Sequence, residues 1–190
     1  MEDMQENKKT GMLAFLGGIG AALVALFLGT VAYVYLGGYN IAATEEHSSF
    51  TRWVLDTTFH QSVEGGGASV SGPEQLTPEM AAAGASPYKE MCQHCHSAPG
   101  GERASWAEGM RPLPPHLTEA AAEWEPSEVF WLVKHGAKMT GMPAFGPSHS
   151  DEDIWNIVAF VKRLPAMTSQ EYERLTTEAG SSANAPPVQQ

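Results

Sequence analysis

The segment Cys92-Gln93-His94-Cys95-His96 decides how the rest of the 190-residue chain is read. It is a C-x-x-C-H run, it uses both cysteines of the chain, and it is the arrangement through which a c-type haem is attached. On a helix, residues three and four apart share a face, so Cys92 and Cys95 can each form a thioether to one porphyrin edge. His96, four residues after Cys92, then reaches the iron from the same side. Other chemistries fit the run less well. A redox dithiol is expected beside a strand-helix-strand pattern, which the sequence does not show, and a zinc site needs further cysteines or suitably spaced histidines.

A six-coordinate haem iron needs a second axial ligand, and among Met110, Met139, Met142, Met167 and the remaining histidines Met142 is the best placed. Gly141 before it and Pro143 after it describe an extended loop that lays a flexible thioether over a porphyrin face. Met139 is the nearest competitor. His135 or His149 would instead give a bis-histidine iron of lower potential. A metal-bound histidine donates its other ring N–H to a fixed acceptor, and the carbonyl of Pro115, in the proline-rich stretch 112–117, is the candidate for His96.

Helix signals surround these residues. Ser86 and Pro87 predict the start of a short helix that runs through Tyr88 to the attachment site. Pro126 and Glu128 open a second helix with Val129, Leu132 and Val133 on its apolar face, and Gly136 closes it. Ser150 and Asp153 form a capping box for a third, in which Ile154, Ile157, Val158 and Val161 recur at helical spacing until Pro165. Trp106, Trp124, Trp131 and Phe145 are expected to pack at the haem edge. A domain of about 90 residues over 77–166 buries little by itself, so the haem is expected to form the centre of its core.

Further out, no Asp, Glu, Lys or Arg occurs between Lys9 and Glu45, and 12–36 is almost wholly apolar. At about 1.5 Å per residue this stretch makes roughly 38 Å of helix, enough to cross a hydrocarbon core of about 30 Å. It exceeds the roughly 7–15 apolar residues of a cleaved signal, so it is expected to be an uncleaved anchor. Lys8 and Lys9 then hold 1–11 in the cytoplasm, Tyr33, Tyr35 and Tyr39 meet the outer interface, and the rest is exported. The segment 44–63 reads as a juxtamembrane amphipathic helix with Phe50, Trp53, Val54 and Thr57 on one face, lying on the membrane or packed on the domain. The glycine- and serine-rich stretch 64–76 reads as a flexible linker. A C-terminal tail follows over 167–190, with one short helix at 169–175 and disorder from Ala179.

The 22 acidic side chains against 11 basic ones give a net charge of -11, which excludes a nucleic-acid binder. Lys134, Lys138, Lys162 and Arg163 are candidates for a basic ring around the haem edge that would meet an acidic partner, against the plainer reading of a solvated surface.

The chain resembles the class I c-type cytochromes through Gly84, Tyr88, the Cys92-to-His96 motif, the Pro115-His116-Leu117 turn and the Gly141-Met142-Pro143-Ala144-Phe145-Gly146 run. The resemblance covers 77–166, near half the chain, and is strongest to bacterial single-haem cytochromes with an N-terminal membrane anchor. It implies an all-α fold of small helices wrapped around one covalent haem c, preceded by a single transmembrane helix. It also implies thioethers from Cys92 and Cys95, His96 and Met142 on the iron, and first and last helices crossing near Gly84, Tyr88 and Phe160. Two departures are Pro87, which shortens the first helix, and Ser97, where glycine is frequent.

With both axial positions filled, such an iron has no place for a substrate, so one-electron transfer is expected and not enzymatic turnover. The expected protein is a membrane-tethered carrier on the periplasmic face of the cytoplasmic membrane. Its partners would be a quinol-oxidising complex, a terminal oxidase or a periplasmic reductase. The alternatives are a fixed haem subunit of a larger membrane electron-transfer complex, and a haem sensor or enzyme in which Met142 is displaced.

Overall fold

A computed structural model describes residues 2–183, which form two compact units divided between Glu45 and Glu46. All regular structure among the described residues is helical.

The first unit is helix α1 (Glu2–Tyr35), which starts ten residues before the apolar run because nothing in the polar flank breaks it. Its Asn7–Tyr35 portion, 29 residues, is long and apolar enough to cross a membrane, with none of it buried against protein. Gly37 ends the helix with φ +68°, a left-handed value that costs glycine little, while the N–H of Gly38 returns to Tyr33 O at 2.8 Å.

In the second unit Ser48 caps α2 (Ser49–Gly67), accepting the Thr51 N–H at 3.1 Å. The expected linker differs here. Helix α2 continues through Gly67, and the glycines after Glu64 serve close packing: a Cβ on Gly67 would meet the Glu128 backbone at 2.9 Å, and one on Gly66 would strike the Trp131 ring. Val70 and Leu76 pack on the core and Trp155 covers Gly72, so 64–76 is tied to the domain. Composition alone does not distinguish a glycine kept for freedom from one kept for closeness.

Thr77 caps α3 (Pro78–Pro87), accepting the Met80 N–H at 3.3 Å, with Pro78 in the first turn. The helix expected to have Pro87 at its first position therefore starts nine residues earlier, at Pro78, and Pro87 sits at its end. Without an N–H, Pro87 cannot continue the hydrogen-bond ladder, and the chain passes into a π-helical turn over Tyr88–Cys92, then α4 (Gln93–His96). A short α5 (Leu117–Ala120) leads to α6 (Pro126–His135), opened by a capping box of Glu125 and Glu128 and closed by Gly136. Helix α7 (Asp151–Val161) has the Ser150–Asp153 box read from the sequence, and Pro165 lies beyond its end in a 3-10 turn (Leu164–Ala166).

Helices α3 and α7 cross at Gly84, which lies against the main chain of Asn156 and Ile157, and Tyr88 meets Phe160 with ring centroids 5.2 Å apart. Helix α8 (Ser169–Ala183) corrects the reading of 167–190 as a tail. Tyr172, Leu175 and Thr176, spaced three and one apart, turn one face inward and are buried, so the folded domain extends past Ala166. The remainder of the expected tail, from residue 184, lies outside the described residues.

Apolar side chains form two clusters along α7. One gathers Tyr88, Ile157, Phe160, Val161, Leu164 and Tyr172, with Cys92 packed against it. The other gathers Phe130, Val133, Ile154 and Val158, with Met142 and Phe145 packed against it.

Candidate functional site

The attachment turn is fixed from below. Buried Tyr88 donates its hydroxyl to Ser97 O at 2.8 Å, and Tyr172 of α8 donates to Gln93 Oε1 at 2.5 Å, so both ends of the motif are pinned to the core. Desolvation pushes the Tyr88 and Tyr172 phenols up, so both stay protonated donors. Cys92 and Cys95 are not joined in a disulfide. Burial, and secondarily Cys95, pushes the Cys92 thiol up to about 12, and burial raises the less enclosed Cys95 as well.

His96 Nδ1 lies 2.9 Å from Pro115 O, the pairing expected from the sequence. A carbonyl only accepts, so the proton sits on Nδ1 and Nε2 keeps its lone pair for a metal. Burial holds the imidazole below its ordinary value, opposed by the Pro115 bond and aided by Arg103 and His116. The neutral form is the one that ligates.

The Met142 segment is built on α6. Gly136 leaves that helix with φ +67° so tightly that a Cβ there would lie 2.7 Å from Ala144 N and 2.8 Å from Met142 O. The loop is stitched by Ala137 N–H to Met142 O at 3.2 Å and by Met142 N–H to Thr140 Oγ1 at 3.1 Å. Met142 packs on the second cluster, whereas Met139 is 95% exposed at φ +61°. The two methionines thus differ in how far the fold encloses them.

Met110, read from the sequence as a packing residue, joins these parts. Its sulfur lies 4.0 Å from Cys95 Sγ and its methyl group covers Gly141. The tryptophans are placed differently from expectation. Trp124 stacks on His60 at 4.9 Å and Trp131 covers Gly66, so both hold α2, and Trp106 is exposed. The basic ring is largely committed elsewhere: Lys134 pairs with Asp151 at 2.6 Å, Arg163 with Glu171 at 2.7 Å, and Lys162 donates to Ala121 O and Trp124 O.

Residues 79–161 match the family model described as cytochrome c oxidase, cbb3-type, subunit III. That stretch is a c-type cytochrome domain. No curated protein and no solved structure matches the chain. The domain carries covalently bound haem c with its iron, and with the apolar N-terminal helix the chain is a membrane-tethered haem electron carrier.

The residues present fit that group. Two unbridged thiols, an imidazole with one nitrogen already engaged and a thioether in an apolar wall form a suitable donor set for an attached porphyrin and its iron. Arg103 adds an orphaned donor. Its side chain is 5% exposed and bonds Glu108 through one terminal nitrogen, while its buried Nε has no partner among the described residues. A carboxylate such as a porphyrin propionate is the kind of acceptor that would satisfy it. Sequence reasoning missed Arg103, and no local pattern marks it. The contact of Ser97 with His116, Oγ to Nδ1 at 2.6 Å, was also missed, although both residues adjoin positions singled out for the haem.

Proposed function

We propose that His96 and Met142 are the axial ligands of the haem iron, that Cys92 and Cys95 carry the thioethers, and that the chain passes single electrons between redox proteins at the outer face of the cytoplasmic membrane. When bound, haem c supplies a one-electron couple at iron. The protein's residues do the rest. Pro115 O orients the His96 ring and fixes its tautomer, Gly136 and Thr140 set the loop that presents Met142, and Cys92 and Met142 pack on separate apolar clusters. The observation that carries this reading is the engagement of His96 Nδ1 by Pro115 O, which leaves only Nε2 for the iron.

The tether is the stretch 36–48 between α1 and α2, about 13 residues with a contour of roughly 45 Å. It keeps the haem near membrane-bound partners such as a quinol-oxidising complex or a terminal oxidase and raises their effective concentration. The first half of α2 leaves Phe50 71% and Trp53 62% exposed, while Val63 and Gly67 in its second half are buried. This division supports a juxtamembrane role for 44–63 in which one end grips the domain and the other meets the interface. The same exposed face, together with the match to an oxidase subunit model, supports the second reading, a fixed subunit of a larger complex.

The test is near-infrared and visible absorption of the haem-loaded protein. A methionine-to-iron charge-transfer band should appear in the oxidised wild type, persist in Met139→Leu and vanish in Met142→Ala. A band that survives Met142→Ala, or avid carbon monoxide binding by the reduced wild type, would refute the ligand assignment. Co-purification of a stable complex through detergent exchange would favour the subunit over the shuttle.

A further inference from the structure

The residue after His96 is in an unusual state. Ser97 has φ +61° and ψ -174°, a region in which a Cβ is strained and which glycine occupies freely. Ser97 is also buried, with 1% of its surface exposed. A glycine would relieve the backbone, so what serine adds is its hydroxyl. Among the described residues that hydroxyl meets His116, its Oγ lying 2.6 Å from Nδ1.

The placement of this bond gives it meaning. His96 is bonded to Pro115, and Ser97 to His116, so two consecutive residues of the attachment turn are joined to two consecutive residues of the proline-rich loop. Each strand of this two-rung bridge is fixed on its far side. Tyr88 holds Ser97 O at 2.8 Å, and His116 O receives the N–H groups of Glu119 and Ala120 at 3.1 and 3.0 Å at the start of α5. Pro115 itself is exposed and has no N–H, so it contributes little to its own position. The second rung adds a side-chain restraint on the residue next to that carbonyl.

We propose that Ser97 and His116 are positioning residues for the haem: their hydrogen bond holds the Pro115 carbonyl on His96 Nδ1 and thereby sets how strongly the imidazole donates to iron. A firm Nδ1–H bond gives the ring partial imidazolate character, which favours the ferric state and keeps the potential low. Losing the rung weakens that bond and raises the potential. The inference rests on the reading of His96 as an iron ligand.

The test compares haem-loaded wild type with Ser97→Gly, His116→Leu and His116→Asn in the full-length protein. Three quantities are read: midpoint potential, the hyperfine-shifted His96 ring protons of the ferric state by NMR, and thermal stability. Ser97→Gly is the decisive variant, because it removes the hydroxyl while relieving the backbone. Its stability should hold or rise, its potential should move upward, and the His96 Nδ1 proton should exchange faster with solvent. His116→Leu should shift the potential the same way, and His116→Asn, which keeps a polar group near the Nδ1 position, should restore most of it. An unchanged potential and unchanged His96 signals in Ser97→Gly would overturn the proposal, even if His116→Leu fails to accumulate. If His96 is not the ligand, the wild type itself will lack its hyperfine-shifted ring signals, so the two failures are distinguishable.

Discussion

Replacing Gly84 by alanine tests the crossing on which the haem site is built. A Cβ at Gly84 would lie 2.5 Å from the carbonyl carbon of Asn156 and 2.9 Å from Ile157 N, with the Asn156 oxygen nearer still. Ordinary contact begins at 3.4 Å, so α3 must retreat from α7 by close to an ångström or more. No flexible side chain can absorb this, because the obstacle is main chain. Overpacking of a core costs about 1–3 kcal/mol, and rigid backbone on both sides puts this case near the top of that range. Alanine returns up to about 1 kcal/mol through its better helix propensity, leaving a net loss of about 2 kcal/mol. For a domain of this size that corresponds to a drop in Tm of roughly 4–10 °C. Thermal unfolding of the detergent-solubilised, haem-loaded protein by far-ultraviolet circular dichroism measures it. Gly65→Ala is the matched control, since a Cβ there meets nothing within 4 Å, and its Tm should hold or rise slightly. A Gly84→Ala protein as stable as the Gly65→Ala control would refute the reasoning.

Three further outcomes are expected. Tyr172→Phe keeps the ring packing but deletes the hydrogen bond to Gln93, and should cost about 1 kcal/mol in denaturant titration while leaving Gln93 less ordered by NMR. Gly67→Ala places a Cβ 2.7 Å from Glu128 Cγ and 2.9 Å from its Cα, so the last turn of α2 should lift off α6 and the chain should become cleavable by protease within 64–76. Ser150→Ala removes the α7 cap at a cost of about 1 kcal/mol near neutral pH. The Ser150 side chain and backbone N–H hold the Asp153 carboxyl below its ordinary 3.8, so its folded value is lower than its unfolded one. That contribution is complete above 3.8 and is lost as pH falls through the lower folded value. The Tm difference between wild type and Ser150→Ala should therefore shrink in acid, and a constant difference would count against the cap.

Local signals in the sequence carried over well where the chemistry itself is local. The box of Ser150 and Asp153, the start of α6 at Pro126 and its end at Gly136 each depend on a few adjacent residues, and each stands where the pattern puts it. The Pro115 contact with His96 was legible for a different reason, because a metal-bound imidazole requires an acceptor and the proline-rich loop offered one. Features set by distant partners were not legible. Gly66 and Gly67 read as flexible because Trp131 and Glu128, which press on them, lie more than 60 residues away. Tyr172 and Leu175 sit in a polar stretch whose two apolar positions acquire meaning only when α3 and α7 supply a surface for them. Pro87 misled as a helix start because Thr77 and Pro78 carry the same signals and have the room for a full helix before it.

The helix that closes on the attachment turn comes after it in the chain, and this order has a bearing on biogenesis. Tyr172 fastens Gln93, Ser169 donates to Pro99 O at 2.7 Å, and Lys89 donates to Thr176 at 3.3 Å, so α8 is a clasp across the segment that receives the haem. Cys92 belongs to the surface that Tyr172 helps cover, and burial there disfavours its reactive thiolate. A chain that emerges from its N-terminus presents both thiols before the clasp exists. Because α8 follows the motif in the chain, enclosure of the attachment turn depends on residues that come after both cysteines.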